Sequence, residues 1–145
     1  MSQLGIAIIG CGGITLQNHL PGLAMCPETK VIALCDSDPV CLERARQQTG
    51  VPVTSRAYED VIAREDVHAV IIATPNFTHA PIAHAAIRAG KHVMCEKPIA
   101  MNFSEAQGMA EAAEKAGVRH MTAFTYRFVP AMHYLSHLVK RGDLG

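Results

Sequence analysis

An apolar run that breaks into a glycine turn constrains this chain more than any other feature. Leu4-Gly5-Ile6-Ala7-Ile8-Ile9 leads directly into Gly10-Cys11-Gly12-Gly13-Ile14. Continuous apolar sequence of this length reads as a parallel strand with helices over both faces. Glycines at its end permit a tight turn and let the backbone approach a pyrophosphate, which rests on N–H groups at the next helix's N-terminus. The next apolar run, Val31 to Cys35, ends in Asp36, where a carboxylate can accept hydrogen bonds from an adenosine ribose diol. Together these parts point to a dinucleotide. Thr15 departs from the fingerprint, standing where close helix–strand packing normally takes Gly or Ala, so some local adjustment is expected there.

The alternation continues along the chain. Strands are predicted over residues 4–9, 31–35, 51–54, 69–73, 92–95 and 118–122. One helix starts at Asp38-Pro39, a cap followed by proline at the first helical position, and stops at Gly50. A short one covers about 58–64, and a third runs from after Thr78 to Gly90 with Pro81 in its first turn. A fourth opens on Asn102 with Glu105 three residues on, a capping-box arrangement, and ends at Gly117. Six strands alternating with helices predict an α/β fold, a doubly wound parallel sheet in the order 3-2-1-4-5-6. Residues 1–125 form that unit. Residues 126–145 are read as a helix from Arg127 to Arg141 that begins a connection, with no second domain in the sequence. Val129, Met132, Leu135, Leu138 and Val139 form its apolar stripe, suited to docking on the sheet domain or to pairing in a homo-oligomer.

Composition narrows the function classes. Lys plus Arg and Asp plus Glu both number 13, and aromatics are 5% with no Trp, so neither a nucleic-acid surface nor a base-stacking platform is indicated. There is no apolar run of the roughly 18 residues that a membrane span needs. The five cysteines have no ligand spacing and are read as free thiols in a reducing compartment, with Cys35 and Cys95 in the core; the chain is expected to be cytoplasmic. His133 and His137 are four apart on a helix, but no third ligand accompanies them, so no metal site is predicted.

In an open α/β sheet, ligands bind beyond the carboxyl ends of the strands. The polar residues expected there are Asp36 and Ser37, then Thr74-Pro75-Asn76 with His79, then Glu96-Lys97-Pro98, then Thr125-Tyr126-Arg127. Asp36 would accept from the 2′-hydroxyl of NAD and repel the 2′-phosphate of NADP, and Ser37-Asp38 supplies no cation to offset that, so NAD is favoured over NADP.

The glycine turn, Ala73-Thr74-Pro75-Asn76 with His79, Gly90-Lys91-His92-Val93 leading to Glu96-Lys97-Pro98, and Tyr126-Arg127-Phe128 resemble the Gfo/Idh/MocA family (glucose–fructose oxidoreductase, inositol dehydrogenase, rhizopine catabolism) over essentially the whole chain. The resemblance implies a nicotinamide-dependent dehydrogenase or reductase of sugars, inositols and related polyols, with a C-terminal substrate domain missing here. It makes Lys97 the catalytic-site lysine, able to hydrogen-bond the reacting hydroxyl. Glu96 would contact the nicotinamide end, and Asn76 and His79 would line the cofactor cleft. Gly10, Cys11, Gly12, Gly13, Ile14, Asp36, Ser37, Thr74, Pro75 and Arg127 complete the expected cofactor set. The plainer alternatives are a solvated lysine for Lys97, an ion pair or cap for Glu96, and a structural helix-start residue for His79. The chain is accordingly expected to hold cofactor with little turnover by itself. A non-catalytic NAD-binding sensor or interaction module is the alternative.

Overall fold

The computed structural model describes residues 3–144. Its six strands are β1 (Leu4–Ile9), β2 (Thr29–Cys35), β3 (Val53–Ser55), β4 (Ala69–Ile72), β5 (His92–Cys95) and β6 (His120–Thr122). They form one parallel sheet in the order β3-β2-β1-β4-β5-β6, as the alternation predicts. The joining helices are α1 (Leu20–Ala24), α2 (Pro39–Thr49), α3 (Tyr58–Ile62), α4 (His79–Arg88) and α5 (Phe103–Ala116), with α6 (Pro130–Arg141) after the last strand.

The apolar run of β1 feeds two cores because successive side chains of a strand point to opposite faces. Ala7 and Ile9 join Val61, Ile82, Ile87 and Met109 under α3, α4 and α5. Ile6 and Ile8 join Leu20, Leu34, Leu42 and Ala45 under α1 and α2. Caps fall where the sequence places them: Asp38 Oδ1 accepts from the Val40 N–H, and Asn102 accepts from the Glu105 N–H. Glu105 reaches back to the Met101 N–H, one residue before the cap.

The helix after the glycine turn is not regular. Thr15–His19 forms a π-helical turn, and the Leu20 N–H bonds to the Thr15 carbonyl. Pro21 explains it: proline has no N–H to donate, and its ring crowds the carbonyl four residues back, so the turn widens. The predicted last helix is also shorter. Thr125–Phe128 forms a 3₁₀ turn, and α6 begins at Pro130, since a residue preceding proline avoids helical backbone. The stripe of α6 does not dock on the sheet domain; Val129, Met132, Leu135 and Val139 are exposed.

Candidate functional site

At the carboxyl end of the sheet lies a cavity of about 830 Å³, opened where β1 and β4 send their chains to opposite sides of the sheet. Gly10, Gly12, Gly13 and Ile14 form one wall, Asp36 and Ser37 a second, and Thr74, Pro75, Phe77 and Thr78 a third. Another hollow, about 560 Å³, sits between α1, β2 and α2 and contains none of the predicted site residues.

The turn is built for close approach. Gly10 has φ +99°, and a Cβ there would collide with the Ala73 carbonyl, so only glycine lets β1 and the end of β4 pass this closely. A Cβ on Gly12 would meet nothing, because the turn faces open space. The Gly12 and Gly13 N–H groups have no acceptor among the described residues, as expected where a helix begins. Thr15 is fully buried, and its hydroxyl donates to the Gly10 carbonyl at 2.6 Å. The adjustment expected at Thr15 is therefore a hydrogen bond that ties the helix back to the turn.

Asp36 is held by the backbone. Its Oδ2 accepts from the Cys11 N–H at 2.6 Å and its Oδ1 from the Asp38 N–H at 2.9 Å. Each carboxylate oxygen keeps lone-pair capacity for a hydroxyl. Cys11 is buried beneath the turn and does not line the cavity. Burial, helped by the nearby Asp36 charge, pushes its thiol up to about 12. What Cys11 brings to the site is its backbone N–H, which ties the turn to Asp36.

Five other predicted residues, His79, Asn76, Arg127, Glu96 and Lys97, lie apart from the cavity wall. His79 is wholly buried, with Nδ1 2.9 Å from the Pro98 carbonyl and Nε2 2.9 Å from the Thr74 carbonyl. That corrects the cleft-lining expectation: the ring braces two loops against each other. Asn76 is exposed in the 3₁₀ turn Asn76–Thr78, and Arg127 in the turn Thr125–Phe128. Glu96 points inward. Its Oε1 lies 3.0 Å from His19 Nε2, and its Oε2 accepts from the Lys97 N–H at 3.1 Å. Lys97 is exposed at the end of β5, and its ammonium has no hydrogen-bond or ion-pair partner among the described residues.

Two residues at this end of the sheet escaped the sequence reading. Arg56, just after β3, lines the cavity beside Asp36 and Ser37 and donates from Nε to the Ser37 carbonyl at 3.2 Å. Ser37-Asp38 supplies no cation, as the sequence reading has it, but the fold brings one to the same wall from β3. The signal was available, since the end of the third strand belongs with the other strand ends. His19 had no such signal, because its partner is 77 residues away in sequence. Among the described residues no three His, Cys, Asp or Glu side chains are grouped to hold a metal, and no helix is long and apolar enough to cross a membrane.

Residues 4–124 match a family described as an oxidoreductase family with an NAD-binding Rossmann fold, Gfo/Idh/MocA. A levoglucosan dehydrogenase of Pseudarthrobacter phenanthrenivorans is 34% identical across 100% of this chain and 39% of its own length. Among solved structures, the myo-inositol 2-dehydrogenase of Lactobacillus plantarum superposes with a TM-score of 0.91 at 30% identity, covering 99% of this chain and 43% of that one. A 3-ketoreductase of Actinomadura kijaniata in complex with NADP and TDP-benzene gives 0.91 at 28% identity, covering 99% and 44%. The chain thus spans well under half the length of the relatives it matches.

Proposed function

The chain belongs to the Gfo/Idh/MocA oxidoreductases with an NAD-binding Rossmann fold, and from that premise we propose that it is the cofactor-holding portion of an enzyme moving hydride between nicotinamide and a sugar, inositol or related polyol. The observation that carries this reading is the common end of the sheet. Unpaired turn N–H groups and a backbone-anchored Asp36 line the cavity at the ends of β1 and β2, and an exposed Lys97 follows β5 at the same carboxyl end of the sheet. The turn would bind the pyrophosphate, Asp36 the ribose diol, and Lys97 the reacting oxygen, where an ammonium stabilises developing negative charge. When bound, the nicotinamide supplies the hydride-accepting or hydride-donating carbon; the chain orients it and supplies charge. Residues 1–125 form the dinucleotide unit, and 126–145 connect onward. Turnover by these 145 residues is expected to be low, because they align with well under half of each relative. The free-thiol cysteines suit a reducing, cytoplasmic setting.

NAD is the cofactor this reading favours, because the Asp36 carboxylate repels a 2′-phosphate. Arg56 supports the competing choice: its guanidinium lies on the same wall and makes no ion pair among the described residues. Calorimetric titration with NADH and NADPH tests both. The wild-type chain should bind NADH more tightly, and Asp36→Ala should weaken NADH roughly tenfold while narrowing the preference. Equal affinity for the two in wild type would remove the assignment of NAD, and binding of neither would remove the dinucleotide reading. Robust polyol oxidation by the 145-residue chain would show that the expectation of low turnover is wrong.

A further inference from the structure

The turn that presents Lys97 is gripped from two sides by histidines, His79 buried and His19 half-buried. From α4, His79 holds the Pro98 carbonyl. From the π-helical turn, His19 holds the Glu96 carboxylate, and that carboxylate holds the Lys97 N–H. The His19 and Glu96 side chains are only 9% and 11% exposed, so solvent screens their contact little. With Glu96 ionised, Nε2 is the donor, and a charge-assisted bond of this kind is stronger than a neutral one. Both Glu96 oxygens are then engaged within the protein, which leaves its carboxylate turned away from the cavity.

The irregular helix gives this contact its place. A π turn holds one more residue than an α turn, so the side chains that follow are rotated by about 100° around the axis. The widening before Pro21 therefore decides which residue of this helix faces the end of β5. That residue is His19, on the same helix whose first N–H groups face the pyrophosphate site. One element thus touches both the phosphate turn and the support of Lys97.

We infer that His19 is a positioning residue: through Glu96 it sets the backbone from which Lys97 reaches the nicotinamide half of the cleft. The inference rests on the assignment of Lys97 to that half in the proposed function. It makes Glu96 a support for Lys97 in place of a direct cofactor contact.

The test compares NADH with ADP-ribose, which has the adenosine and pyrophosphate but no nicotinamide. In His19→Ala, the Kd for NADH should rise about tenfold while that for ADP-ribose stays within about twofold of wild type. His19→Gln, whose amide nitrogen reaches about as far as Nε2, should restore NADH binding. If His19→Ala does not fold, the shorter His19→Asn carries the same expectation. An unchanged NADH-to-ADP-ribose ratio in the folded variant would overturn the inference. So would equal weakening of both ligands, which would make His19 a general support of the phosphate turn. Failure of wild type to bind either ligand would instead overturn the proposed function, so the two failures are distinguishable.

Discussion

Thr15 and Asp36 show how single side chains convert a glycine turn into a defined surface. Thr15 donates to the Gly10 carbonyl from a fully buried position, and Asp36 draws in the Cys11 N–H. Both bonds constrain the backbone on either side of Gly12, whose N–H stays free. Thr15→Val keeps the shape and removes the donor. It should cost about 1–2 kcal/mol, because the Gly10 carbonyl loses a partner in a buried setting. A lower urea midpoint with an unchanged slope would be the signature, and an unshifted midpoint would show that the carbonyl is satisfied otherwise.

At the scale of elements, punctuation and periodicity carry most of the information. Asp38 and Gly50 bracket α2, and Asn102 and Gly117 bracket α5, because caps act on backbone groups within a few residues. The strand order followed from the alternation of strands and helices in a doubly wound sheet. Asn102→Ala should destabilise the chain by about 1 kcal/mol, read from its thermal or urea midpoint, while leaving dinucleotide affinity unchanged. A loss of affinity would mean that α5 couples to the cleft. Element reading failed where proline acts on the backbone that precedes it. Pro21 widened the first helix, and Pro130 delayed the last one until after Val129.

For the whole molecule, the two cores enclose three thiols whose chemistry follows from burial. Cys11, Cys35 and Cys95 are each pushed from 9.0 up to about 12, mainly by desolvation. The folded chain therefore retains protons that the unfolded chain releases. The stability they contribute is fully present below about pH 9 and is lost as the pH rises towards about 12. Melting temperature should fall across that range, and Cys35→Ala should make the fall shallower. An unaltered slope in Cys35→Ala would count against this origin. At neutral pH, exposed Cys26 should be alkylated well before these three, which should react only after unfolding.

By itself, the sequence determined what depends on neighbours and on period: six strands alternating with helices, the caps, the glycine turn and the acidic end of β2. Such features are local, so residue type and spacing suffice to read them. The tertiary structure alone decided which side chains meet across the sheet end. It joined His19 to Glu96, Cys11 to Asp36, His79 to Pro98 and Arg56 to Ser37. Those contacts depend on how far a helix is rotated and on which loops approach one another, and no period in the chain encodes either. The glycine turn therefore announced a dinucleotide site from sequence, while the support beneath Lys97 required the fold, because His19 and Glu96 are 77 residues apart in the chain.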